Sequence, residues 1–168
     1  FLGRIEMVRE PAIRRRLETA FALGLGAGLE ARDLRDLTRA HVHDLGDDGI
    51  RIDVPGARPR TVWLRHELED LLRSGISHLT TNEHILGRPN AGKDILVDLY
   101  DNARSLKGDD KIQQRRLRNT WLATLMCEPI PLWTVMRAAG LASARSLSDL
   151  AQFLEPVGDD TITRGGER

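Results

Sequence analysis

Lys111, Arg115 and Arg118 stand at steps of four and three, with no acid among the residues between them. On a helix those steps put three cations on one face. Arg118 also lies three residues before Trp121, four before Leu122 and seven before Leu125. A permanent cation therefore sits beside the apolar stripe of its own helix. Two chemistries fit that position. Flanked by further cations, the planar guanidinium fork matches phosphate oxygens. Alternatively Arg118 lays its stem over Trp121 and keeps its head in water. A second basic cluster, Arg14-Arg15-Arg16, falls near the start of an earlier helix. There it opposes the helix dipole, which is mildly unfavourable unless an anion sits close by.

Other chemistries have little support. His41 and His43 stand two apart, so on a strand both face one side, with Asp44 beside them. No third or fourth ligand is placed by spacing, and no metal or cofactor is predicted. Gly87 to Lys93 (GRPNAGK) lacks the spacing of a phosphate-binding loop, since Asp94 follows Lys93. There is no GxSxG and no HExxH.

Lys+Arg and Asp+Glu both number 25 in 168 residues. That balance argues against a simple nucleic-acid-coating protein but allows a local basic groove. Arginine supplies nearly all the positive charge, the lysines being Lys93, Lys107 and Lys111. The single cysteine, Cys127, has no internal disulfide partner and is expected as a small core residue. No apolar run reaches membrane-spanning length. The expectation is a soluble cytoplasmic protein with no membrane contact. The chain opens on Phe1 rather than methionine, so an upstream segment is to be allowed for.

The elements that must position these residues follow from periodicity. Residues 1–10 read as a lead-in, and Pro11 suits the first turn of a helix. Ile13, Leu17, Ala20, Phe21 and Leu25 mark its stripe, and Gly24, Gly26 and Gly28 are expected to end it. Glu30–Ala40 is predicted as a second helix with Leu34 and Leu37 inward. Short strands follow at 41–44, 50–54 and 60–64, joined by turns at 47–49 and 55–59. His66–Ser74 returns to helix. Residues 75–89 read as loop with one extended piece at 78–81. Asn90 is expected to cap a helix to about Leu106, with Ile95, Leu96, Leu99, Tyr100 and Ala103 as its stripe. Lys111–Leu154 reads as three helices, interrupted at Glu128-Pro129, at Pro131 and at Gly140. The fold class is α+β and mainly helical, with a small three-stranded antiparallel sheet. One domain spans 11–154, and 155–168 reads as a flexible tail.

The pattern RRLRNTWLATLM, a short helix and then AAGLASARSLSDL resembles the end of a tyrosine recombinase (phage integrase) catalytic domain. FALGLGAGLEARDLRDLTRAHV is similar to that family's Thr-Gly-Leu-Arg-x-x-Glu segment, and GIRIDVPGARPRTVWL to its second and third strands. The resemblance implies an integrase-like fold. It also implies positions for the family's chemical groups, most of them changed. Glu30 falls on the first arginine, and Asp33 on the acid that usually follows. Gly56, Ala57 and Arg58 occupy the turn that normally carries a lysine. Arg115 replaces the His of His-x-x-Arg, and Arg118 retains its Arg. Leu141 falls on the Gly-His position, and Leu150 on the nucleophilic tyrosine.

Leucine cannot attack phosphorus, and Glu30 puts negative charge where a phosphate would sit. The resemblance therefore implies a catalytically inactive relative that binds DNA, accessory or regulatory in recombination or integration. Its phosphate contacts would be Arg118, Arg115, Arg116, Lys111, Arg58 and Arg60, with Arg14–Arg16 on the same face. A second reading is a protein-interaction or oligomerisation module on the same scaffold. That module would be a homo-oligomer through the C-terminal helix, or would bind a recombinase or other protein. A third is an active recombinase whose nucleophile lies elsewhere in the chain or outside it, with Tyr100 as the residue to test.

Overall fold

The computed structural model describes residues 2–87, 94–103, 113–145, 147 and 148. Lys111, Leu150, Asn90, Lys93, the Tyr100 side chain, most of the expected final helix and residues 155–168 lie outside that description.

Helix α1 (Leu2–Ile5) buries Ile5, and Val8 follows it into the core, so the segment ahead of Pro11 joins the fold. Helix α2 (Pro11–Ala27) starts on a proline, whose missing N–H costs nothing there. Leu17, Ala20, Phe21 and Leu23 bury its inner face. Gly24 and Gly26 lie inside α2 rather than ending it. Both are points of close packing: a Cβ on Gly24 would lie 2.3 Å from Gln114 Nε2, and one on Gly26 2.7 Å from a Leu64 methyl. The helix stops at Gly28, which takes a left-handed conformation (φ 64°).

Helix α3 covers Ala31–Asp36 and is shorter than the predicted 30–40. Leu37 turns extended at φ −75°, ψ 121° and buries its side chain, which ends the helix. A tight turn at Arg39–His41 then leads into strand β1 (Val42–Asp44). Strands β2 (Ile50–Val54) and β3 (Arg60–Trp63) complete an antiparallel sheet in the order β1-β2-β3. Ile50, Ile52 and Val54 face the core while Arg51 and Asp53 are half-buried between them, as the alternation predicts.

Helix α4 (Glu69–Ile76) packs on α2 beside Thr19 and Leu72. The extended piece expected at 78–81 is absent among the described residues. The backbone there forms turns, and the single bridge pairs Thr38 with His84. Helix α5 (Ile95–Asn102) buries Ile95, Leu96 and Leu99, and Ala103 just beyond it. Asp94 caps it, its Oδ1 accepting from the Leu96 N–H at 2.8 Å.

Helix α6 (Gln114–Met126) lies against α2, and α7 (Leu132–Ala139) folds back to β3. Trp121, Leu122, Val135, Ala139 and Leu147 form a second apolar cluster there. Arg145, Leu147 and Ser148 are helical, at the expected start of the final helix. Cys127 is exposed, against the expectation of a core position. It follows the last residue of α6, where the chain is already turning towards Pro129 and out of the stripe.

Candidate functional site

The site is built around the ends of two helices. α2 and α7 both stop on a left-handed glycine, Gly28 (φ 64°) and Gly140 (φ 63°). Helix ends carry carbonyls without intrahelical partners and a partial negative charge. Here those carbonyls converge on arginines. Arg118, on the face of α6 that meets α2, donates through Nη1 to the Gly28 carbonyl and through Nη2 to the Ala139 carbonyl. Arg60, at the start of β3, donates through Nε to the Ala138 carbonyl at 3.0 Å. Arg58, in the turn before β3, reaches the Gly140 carbonyl at 3.3 Å. Three consecutive carbonyls at the end of α7 thus each accept from a different arginine.

Close packing makes this geometry. A Cβ on Gly28 would lie 2.1 Å from Trp121 Cε3, so only glycine lets the indole rest on that turn. Trp121 stands one turn after Arg118, so its seat fixes how far the guanidinium reaches. One turn before Arg118, Gln114 donates through Nε2 to the Ala20 carbonyl at 3.2 Å and the Leu29 carbonyl at 3.0 Å. Gln114, Arg118 and Trp121 therefore act together on the end of α2.

Two carboxylates complete the cluster. Glu30 Oε1 lies 3.0 Å from Arg118 Nε, and Glu30 Oε2 lies 2.8 Å from an Arg32 nitrogen. Asp33 takes both terminal nitrogens of Arg60, at 3.2 and 2.8 Å, and accepts the Glu30 backbone N–H at 2.9 Å. Burial pushes the Asp33 carboxyl up, but the Arg60 hydrogen bonds, the Glu30 N–H and the charges of Arg60 and Arg118 outweigh it. The net effect holds Asp33 below the usual carboxylate range. Burial likewise pulls the Arg118 guanidinium down, against the opposing charge of Glu30.

Above the cluster opens a hollow of about 670 Å³. Among the described residues its cations are Arg32, Arg58, Arg115 and Arg118, and its acids are Glu30 and Asp94. Gln114, Asn119, Leu122 and Leu141 line the rest with Ala31. The side-chain oxygen of Gln114 is buried and has no partner among the described residues.

The structure thus brings Glu30, Arg58, Arg115, Arg118 and Leu141 around one space. Asp33 and Arg60 lie behind it as a buried ion pair, with side-chain exposures of 7% and 6%. Arg116 is exposed but does not line the hollow. Arg14 pairs at 4.0 Å with Glu18, and Arg16 lines a separate hollow with His78, Asn82 and Gly87. The head of Arg118 does not reach water as one reading expected: the residue is 5% exposed and its nitrogens are taken by carbonyls and Glu30.

Sequence reading missed Gln114, Arg32 and Asn119. Gln114 was detectable, because it shares the helical stripe of Arg118 and Trp121. Arg32 carries no periodic signal. His41 is not on a strand; its Nδ1 lies 3.0 Å from both the Thr38 N–H and hydroxyl, while His43 meets Asp53 at 2.8 Å. Among the described residues no group of three His, Cys, Asp or Glu side chains could hold a metal ion. No described helix is long and apolar enough to cross a membrane.

No family profile and no curated protein matches the sequence. Solved structures do match its fold. XerA recombinase aligns with a TM-score of 0.63 at 17% identity, over 99% of this chain and 62% of that one. XerH site-specific recombinase, bound to palindromic difH substrate in a post-cleavage complex, aligns with a TM-score of 0.59 at 16% identity, over 98% and 49%. The Tn1549 transposon integrase in complex with circular intermediate DNA gives 0.55 at 12% identity, over 97% and 63%. The chain therefore spans less than two thirds of the length of each of these structures. Its helices and three-stranded sheet have the fold of the tyrosine recombinase catalytic domain.

Proposed function

We propose that this chain is a DNA-binding protein on the recombinase fold, acting in DNA recombination or integration without cleaving DNA itself. One observation carries the reading: among the described residues the hollow is lined by four arginines against two acids, on a fold shared with recombinases solved in complex with DNA. Arg115 and Arg58 are exposed at its mouth and offer forks to backbone phosphates. Arg116, exposed next to Arg115 in sequence, adds a further cation outside the hollow. Arg60 supports the site from beneath, and Arg118 meets a phosphate only where Glu30 gives way.

The lining chemistry supports the inactive reading. Among the described residues that line the hollow there is no Tyr, Ser, Thr, Cys or His. Its carboxylates are committed, Glu30 to two arginines and Asp94 to the start of α5. Phosphoryl transfer needs a nucleophile and a proton donor for the leaving oxygen. Arginine supplies charge but no proton near neutral pH.

A second reading is a protein-interaction or oligomerisation module. A smaller hollow of about 400 Å³ beside β3 is lined by Val62, Trp121, Leu125, Ile130 and Val135. Trp63 also lines it and is exposed, as are Leu132 and Trp133 on α7. Light scattering of the 168-residue chain, with and without the residues after Leu141, separates monomer from exchanged oligomer.

The experiment for the main reading is fluorescence anisotropy of a labelled duplex titrated with the chain at low salt. Saturable binding is expected. A flat titration at low salt overturns it and leaves the interaction module.

A further inference from the structure

We propose that Glu30 is a built-in competitor for the anion site, holding the position on Arg118 and Arg32 that an incoming phosphate oxygen would take. The inference rests on the DNA-binding reading and deepens it: the ligand is a backbone phosphodiester, and Glu30 sets how tightly the hollow accepts one.

Glu30 bridges two arginines with its two oxygens, at 3.0 Å to Arg118 and 2.8 Å to Arg32. A phosphate oxygen pair bridges two guanidinium groups in the same way. The carboxylate belongs to the wall of the hollow that both arginines line. Arg118 cannot turn away to meet a ligand, because Gly28 and Ala139 hold its other nitrogens. Glu30 can: its side chain is one-third exposed, against 6% for Arg118. A phosphate entering at Arg58 and Arg115 therefore either stops short of Arg118 and Arg32 or displaces Glu30 towards solvent. Displacement breaks two ion pairs before new ones form, so binding is weaker than the described arginines alone would give. It also excludes neutral ligands, which cannot replace the charge of the resident carboxylate on the two arginines.

The test compares the intact chain with Glu30→Gln and Glu30→Asp. Gln keeps the shape and removes the charge. Asp keeps the charge, suits the helix start, and draws the carboxylate back by one methylene. Two probes are used, a fluorescein-labelled duplex and inorganic pyrophosphate. The duplex is followed by anisotropy across a salt series and pyrophosphate by calorimetry. Thermal melts check that each variant folds. The expected result is duplex binding about tenfold tighter for Glu30→Gln, and a smaller gain for Glu30→Asp. The salt dependence should steepen by about one phosphate contact for Glu30→Gln. Equal affinities for all three folded proteins overturn the inference while leaving DNA binding intact. If none of them binds the duplex, the DNA reading falls. Pyrophosphate then decides this one: tighter binding by Glu30→Gln supports it, and no difference overturns it. If Glu30→Gln fails to fold, Glu30→Asp carries the comparison.

Discussion

Arg118 Nε lies 3.0 Å from Glu30 Oε1, inside a residue pair whose arginine is almost wholly enclosed. The remaining nitrogens of that arginine close the ends of α2 and α7 through the Gly28 and Ala139 carbonyls. One side chain therefore ties together three segments that are far apart in sequence. The proposed anion site and the stability of the fold share this residue.

Replacing Arg118 by Ala should cost about 3–5 kcal/mol, because it leaves two helix-end carbonyls and a carboxylate without their cation. Arg118→Lys should recover part of that loss. Lysine restores the charge but not the planar fork that serves both carbonyls. Urea denaturation followed by circular dichroism measures both values.

Asp33 and Arg60 give a pH signature. The folded carboxyl titrates below its unfolded value, so its contribution is fully present above about pH 4. It is lost as pH falls through the depressed folded value. Asp44, held down by its hydrogen bonds with Arg73, and Asp53, held down chiefly by the Thr61 hydroxyl, act in the same direction. Stability should therefore fall on acidification below about pH 4. Asp33→Asn should flatten part of that slope and lower stability at neutral pH by several kcal/mol, leaving Arg60 buried without its partner. Melting temperatures across a pH series give the comparison.

Gly28→Ala should destabilise by about 2–4 kcal/mol. Strain from the left-handed backbone adds to a steric conflict with Trp121. Tryptophan fluorescence should change with it, because the indole must leave its seat. A variant as stable as the parent would mean that Trp121 does not rest on this turn.

The sheet was legible because Ile50, Ile52 and Val54 alternate cleanly, and α6 because Leu117, Trp121, Leu122 and Leu125 keep helical spacing. The short span of α3 was not, since Leu37 fits a helical stripe as well as an extended segment that buries it. The position of Cys127 was equally hidden: a cysteine at a helix end reads as apolar whether or not the chain has begun to turn. At the site, Arg118 stood out because a cation interrupts an apolar face. What it does there was not readable. Its partners are backbone carbonyls of Gly28 and Ala139, and a backbone carbonyl leaves no mark in residue type. The same holds for Arg58 and Arg60, which sequence placed on phosphates and the structure places first on the end of α7.

A DNA substrate that traps covalent intermediates should yield no protein–DNA adduct with the intact chain. An adduct on denaturing gels that disappears in Tyr100→Phe would assign a nucleophile to α5 and overturn the inactive reading.

On the DNA-binding proposal, phosphates meet the chain at the hollow's mouth, through Arg58 and Arg115. The decisive measurement is anisotropy of a labelled duplex over a salt series, with the parent and with Arg58→Ala/Arg115→Ala. The parent should lose affinity with a log–log slope of roughly −3 or steeper, and the double variant should be shallower by about two contacts. Identical slopes for the two folded proteins would put the DNA somewhere else on the molecule and rule out Arg58 and Arg115 as its phosphate contacts.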